Sequence, residues 1–221
     1  MARQSITQEG IIEATIKVIH EKGVAGATTR AIVQAVPCAE GTLYLYFKHR
    51  TELILAVIER SAVAFIDDLK TLPRYVGRNA VEVNLDVILS KAARFQEDVL
   101  TLFCGVVSDP ELLQAQQDVM RKARKGPHLS RLAIARYLEA EKAEGRVSAE
   151  LDSEMVAAIL LRASFGRIFE ERFAGITPGV GARREMKTLI AALLAPAKRS
   201  LSNVIGDSAK KNRKTVEKEH A

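Results

Sequence analysis

Tryptophan is absent from this chain, cysteine occurs only twice, histidine four times, and aromatic residues make up 5% of the whole. Each shortage excludes something. Cys38 and Cys104 lie far apart in apolar surroundings and belong to no CxxC or Cys/His cluster, so neither a disulfide framework nor a metal or redox centre is signalled. His20, His49, His128 and His220 are scattered, with no Ser/His/Asp ordering, phosphate-binding loop or metal-ligand spacing around them. An enzyme is therefore not expected, and no catalytic residue, metal or cofactor is assigned. Charges interrupt every apolar run of the opening stretch "MARQSITQEGIIEATIKVIHEKG", which leaves neither the h-region of a signal peptide nor a bilayer span. The expectation is a soluble protein of a reducing cytoplasm with no membrane partner.

What is present is helical in character. The 221 residues are rich in Ala, Leu, Glu, Lys and Arg, with 13 glycines and six prolines gathered into a few breaks between long periodic stretches. That length suffices to bury a real apolar core without staples. The net charge of +6 invites a nucleic-acid reading, but its distribution is even: six basic against four acidic residues over 1–50, 22 against 20 over 51–200, and five against three over 201–221. Charge alone does not locate a nucleic-acid surface.

Ser5-Ile6-Thr7-Gln8 reads as a capping box, followed by Ile12, Thr15, Ile16 and Ile19 at helical spacing and by Gly23 as a stop, which predicts a first helix over about 6–22. Thr28 and Thr29 open a short second helix, which ends near Ala35 because Pro37 pushes its predecessor out of the α region. Residues 39–47, "AEGTLYLYF", make a third, and a fourth runs from about 49–50 to 69 with Leu53, Val57, Ser61, Phe65 and Leu69 on one stripe. Further helices are predicted near 79–96, 98–107, 109–124, 128–144, 152–173 and 182–196. From Lys198 the chain turns polar and lysine-rich, so 201–221 is expected to be a disordered basic tail.

Three short helices with a tight turn between the second and third form a helix-turn-helix, whose third helix enters the major groove. The run "TTRAIVQAVPCAEGTLYLYFKHRTEL" at 28–53 is more specific. It resembles the signature of the TetR/AcrR family of transcriptional regulators: a Thr-rich helix start, a small turn, Gly-Thr-Leu-Tyr, an aromatic, and a basic residue before Glu-Leu. The fold expected is all-α, with a three-helix DNA-binding domain over 1–50 and a larger helical effector-binding and dimerisation domain over 51–200. On the third helix Leu43 and Phe47 are spaced to face the core, which leaves Ala39, Thr42 and Tyr46 on another face with Tyr44 at its flank. Thr42 is then placed for a base edge or thymine methyl, the Tyr44 and Tyr46 hydroxyls for phosphates, and Lys48 and Arg50 for the DNA backbone. Thr28 and Thr29, at a helix start, suit a phosphate, and the resemblance implies that Arg30 reaches a guanine. Glu40 and Gly41 complete the expected DNA-binding set.

The sequence departs from the family at the turn, where Pro37 and Ala39 stand in place of the usual glycine and serine, and Glu40 is an unusual neighbour for phosphate. Two readings result. The first is a sequence-specific regulator, most simply a repressor released from a palindromic operator by a small molecule; the second is a helical small-molecule-binding or interaction protein with weakened DNA binding. The resemblance implies an effector enclosed by the larger domain, for which the apolar stretches 85–107, 113–120 and 156–173 offer Phe95, Phe103, Val107, Phe165 and Phe169, with Gln96, Gln117 and Arg162 as polar partners. A homodimer is expected through the last two helices. "DSEMVAAILLRASFGRIFEERF" is apolar over more than one neighbour needs, with Ala157, Ala158, Ala163, Ser164 and Gly166 permitting close approach, and Met186, Leu189, Ile190, Leu193 and Leu194 give the last helix an equally broad apolar face.

Overall fold

The computed structural model describes residues 6–36, 40–177 and 180–195, and these residues contain nine α-helices, a short 3₁₀ turn and no strand. Helix α1 (Gln8–Gly26) is capped by Thr7, whose hydroxyl accepts from the Gly10 amide at 3.1 Å, so the cap lies inside the expected capping box; Ser5 falls outside the described residues. Gly23 does not end the helix outright. It takes φ 70°, breaks the helical path, and the chain resumes for one turn to Gly26. Helix α2 (Thr29–Ala35) is capped by Thr28, and α3 (Glu40–Tyr46) and α4 (Arg50–Thr71) follow as the sequence predicts.

Helix α5 (Val81–Val107) corrects one expectation, because the two helices predicted over 79–96 and 98–107 are a single one of 27 residues. Glu97 and Asp98, at the predicted division, are solvent-exposed, and no proline or glycine accompanies them to break the helix there. The remaining helices are α6 (Pro110–Ala123), α7 (His128–Ala143), α8 (Ser153–Ala174) and α9 (Val180–Leu194). Asp109 and Asp152 cap α6 and α8 by accepting from amides three residues on, at 3.0 and 2.9 Å, and Gly175 closes α8 with φ 67°.

Two apolar cores organise these helices. The first gathers Ile11, Ile19, Ile32, Leu43 and Phe47 from α1 to α3 with Leu53, Ile54 and Val57 of α4, and then Leu102, Val106 and Leu112 from the end of α5 and the start of α6. The second joins Phe65 and Leu69 of α4 to Leu85, Ile88 and Leu89 of α5, Ile134 and Leu138 of α7, Val156 and Leu160 of α8, and Ile190 of α9. Helices α4 and α5 thus contribute to both. The core that steadies α3 extends well past residue 50.

At the far end of the body the turn after α4 is held by buried polar groups. Asn84 donates to the carbonyls of Tyr75 and Arg78 and to the Tyr137 hydroxyl at 2.9 Å, while fully buried Glu141 pairs with Arg146 at 3.3 Å and accepts from the Gly77 amide. Burial first, and then the neighbouring Glu141 carboxylate, hold the Tyr137 hydroxyl proton more tightly than in water, against the opposing pull of the bond from Asn84.

Candidate nucleic-acid interface

The local sequence fixes α3 by two inward anchors one turn apart, Leu43 and Phe47, which are 4% and 3% exposed. They seat it against α2 and α4 so closely that the space between the three helices, bordered by Thr29, Ile32 and Tyr44, is about 10 Å³, room for about one water. Its opposite side is therefore fixed in orientation. Glu40, Gly41, Tyr44, Leu45 and Lys48 are exposed, as are Thr28 and Arg30 on the adjoining end of α2, while Thr42 is half-buried. This brings most of the expected DNA-binding residues onto one surface.

Four of them are placed differently. The Arg50 guanidinium donates to the carbonyls of Ala27, at 2.9 Å, and Val24, so it caps the last turn of α1 instead of pointing to a nucleic-acid backbone. The Tyr46 hydroxyl donates to the Ile6 carbonyl at 2.9 Å, tying the chain ahead of α1 to the end of α3, which leaves no hydroxyl proton for a phosphate. Thr29 is half-buried beside α3 and α4, and the Thr28 hydroxyl accepts from the Ala31 amide at 3.2 Å as an ordinary cap. Lys48 keeps its ammonium exposed, while its backbone amide donates to Glu52 at 2.8 Å, which fixes the entry into α4. Pro37 and Ala39, where the sequence departs from the family at the turn, lie outside the described residues.

Sequence reasoning missed Leu45. Read as one more apolar residue among aromatics it carries no signal, yet its spacing from Leu43 and Phe47, two residues from each, places it opposite both. It is 82% exposed.

The residues expected to line an effector site do not converge on one place. Phe95 stacks on Phe65, with ring centres 5.1 Å apart, and meets Phe103 edge-on at 6.4 Å. Beside this group Gln96 accepts from the buried Ser164 hydroxyl at 2.7 Å, and Phe165 is half-buried on α8. By contrast Val107, Gln117, Arg162 and Phe169 are exposed, and Phe169 stacks on Phe173 at 5.9 Å on the outer side of α8. A shallow depression of about 430 Å³ along α9 is bordered by Arg183, Arg184 and Lys187, all from one helix, and so has no facing wall. Among the described residues there is no cluster able to hold a metal ion, and no helix is long and apolar enough to cross a membrane.

Comparison with known proteins agrees with this arrangement. Residues 11–57 match the family described as bacterial regulatory proteins, tetR family. The HTH-type transcriptional regulator YvdT of Bacillus subtilis, itself uncharacterized, is 30% identical over 105 residues, which are 46% of this chain and 53% of that protein, so the match spans about half the length of this relative. Among solved structures, a Mesorhizobium loti protein assigned to the TetR family of transcriptional regulators superposes with a TM-score of 0.71 at 17% identity, covering 88% of this chain and 98% of its own. A fatty acid degradation regulator from Bacillus halodurans has a TM-score of 0.64 at 18% identity over 90% and 100% of the two chains. Residues 11–57 thus resemble the domain of the tetR family of bacterial regulatory proteins, and the described body shares the fold of these solved structures.

Proposed function

We propose that the protein is a sequence-specific, double-stranded DNA-binding regulator that works in the cytoplasm as a homodimer and is released from a palindromic operator by a small molecule. The observation that carries this reading is the fixed outward face of α3, which presents Gly41, Tyr44 and Leu45, with Lys48 just beyond its end and Arg30 of α2 also exposed. One such helix spans few base pairs. Two related by a dyad occupy successive major grooves about 34–36 Å apart and read a palindrome. An interface for the dyad is offered by the outer side of α8, where Met155, Phe169 and Phe173 are exposed, with Ile176 just past its end, together with α9.

Regulation follows from the two cores. Helices α4 and α5 each contribute side chains to both, so a ligand that favours one packing of the body also biases the seating of α1 to α3, and operator affinity falls by the difference in ligand affinity for the two arrangements. Phe65, Phe95, Phe103 and Phe165 are the apolar candidates for the ligand's surroundings, with Gln96 and Ser164 as the polar pair. Because a solved relative is named as a regulator of fatty acid degradation, acyl compounds are the first probes for a thermal-shift screen.

Selection of duplexes from a random pool at low salt, followed by a salt titration of the winners, tests the central claim. Lys48→Ala is expected to weaken binding to all selected sequences alike and to lower the salt slope by about 0.9, the loss of one phosphate contact. Failure to enrich any duplex would replace this reading with that of a helical small-molecule-binding protein, for which exposed Glu40 on the same face already argues.

A further inference from the structure

We infer that Leu45 is a base-reading residue and that its target is the 5-methyl group of a thymine in each half-site. The inference rests on the DNA-binding reading above. It starts from the chemistry that the outward face of α3 lacks: the helix sequence EGTLYLY contains no Arg, Lys, Asn or Gln, the side chains that grip guanine or adenine with two hydrogen bonds. Glu40 only accepts when ionised. The centre of the face is formed by Gly41 and Leu45, one turn apart, and neither offers a side-chain hydrogen-bonding group.

Their exposure is what the sequence alone does not reveal. A Cβ built on Gly41 meets nothing within 4 Å, and Leu45 is 82% exposed on a helix whose inner side is locked by Leu43 and Phe47. The bare backbone at Gly41 lets α3 lie close to a surface, and the isobutyl group of Leu45 then projects into it, with exposed Lys48 three residues on to meet the flanking phosphate. Of the groups on the floor of the major groove, only the thymine methyl is apolar. An exposed leucine gains free energy there by covering that methyl and gains none from the polar edges of guanine, adenine or cytosine.

The full-length protein and the duplexes selected from a random pool are the materials for the test. Each thymine is replaced singly by deoxyuridine, which removes the methyl and leaves base pairing unchanged. One position per half-site is expected to weaken wild-type binding about fourfold, the effect of uncovering one methyl-sized group. Leu45→Ala is expected to bind thymine and deoxyuridine duplexes equally. Its melting temperature should match wild type, because the side chain is largely exposed among the described residues. Lys48→Ala should bind more weakly overall yet keep the fourfold discrimination. Wild-type binding that is flat across the scan, or sensitivity that survives in Leu45→Ala, overturns the role given to Leu45 while leaving the regulator reading intact. If no duplex is enriched by wild type, both fall together.

Discussion

At Gly105 helix α5 packs directly against Val24 in the last turn of α1, and Gly105→Ala should destabilise the protein even though alanine is the better helix former. On propensity alone the change within α5 would gain about 1 kcal/mol. A Cβ at this position, however, would overlap Cβ and Cγ2 of Val24, a buried residue in the last turn of α1. Rotation about χ1 does not relieve this, since Cβ of Val24 is fixed to its backbone; the two helices must separate. Overpacking of this kind costs about 1–3 kcal/mol, so the clash wins and the net loss is about 0–2 kcal/mol. The background decides the sign. In Val24→Gly, which removes the obstructing atoms, the same Gly105→Ala change should recover its gain of about 1 kcal/mol, giving a coupling of about 1–3 kcal/mol in a double-mutant cycle measured by urea unfolding. Operator affinity should also fall in Gly105→Ala, whereas Ile134→Val, in the second core, costs about 0.5–1.5 kcal/mol of stability without moving the DNA-binding helices. Additive single changes, or a raised unfolding midpoint for Gly105→Ala in the wild-type background, would show that α1 and α5 are not in contact there and would remove this route from body to operator.

Arg50→Ala should lower stability by about 1.5–3 kcal/mol by stripping charged donors from the carbonyls of Val24 and Ala27, while the salt slope of DNA binding stays at its wild-type value; a slope reduced as in Lys48→Ala would return Arg50 to the phosphate contacts. Because burial raises the proton affinity of Tyr137, its contribution to stability is fully present below the unfolded tyrosine value of about 10 and is lost as pH rises through the higher folded value. Chemical denaturation between neutral and strongly alkaline pH should show this loss in wild type, and Tyr137→Phe should lack it. Phe173→Glu should yield monomers in sedimentation at micromolar concentration with greatly reduced operator binding, and it is a cleaner probe than Leu193→Glu because Phe173 is 85% exposed whereas Leu193 packs against the second core. A dimer that survives Phe173→Glu would move the interface away from the end of α8.

Local rules made most of the elements legible. Thr28 before α2, Asp109-Pro110 before α6 and Gly175 after α8 act through their immediate neighbours, so their meaning is present in a few consecutive residues. The same rules failed where tertiary packing outranked them. Two helices were expected over 79–96 and 98–107 where α5 is unbroken, and Gly23 looked like a stop although the chain resumes helix beyond it.

The candidate DNA surface shows where such reading runs out, because a helix's periodicity gives its inner face but not what its outer side chains bond to. Leu43 and Phe47 were legible as anchors; Tyr46 and Arg50 had the right chemistry for phosphate, and only the fold shows their polar groups bound to carbonyls of Ile6, Val24 and Ala27, 23 or more residues away in sequence. These three bonds hold the two ends of the α1 region against the end of α3 and the start of α4. A polar residue in a recognition motif can therefore be required because it sets the angle at which its neighbours meet the groove, and its loss would weaken DNA binding without removing a contact to DNA. The effector side is less legible for a related reason. Phenylalanine on an amphipathic helix has the same spacing whether it fills a core, as Phe95 does between Phe65 and Phe103, or faces outward, as Phe169 does beside Phe173. What separates the two is the partner helix, and that information lies in the packing of α4, α5 and α8, spread over more than one hundred residues of chain.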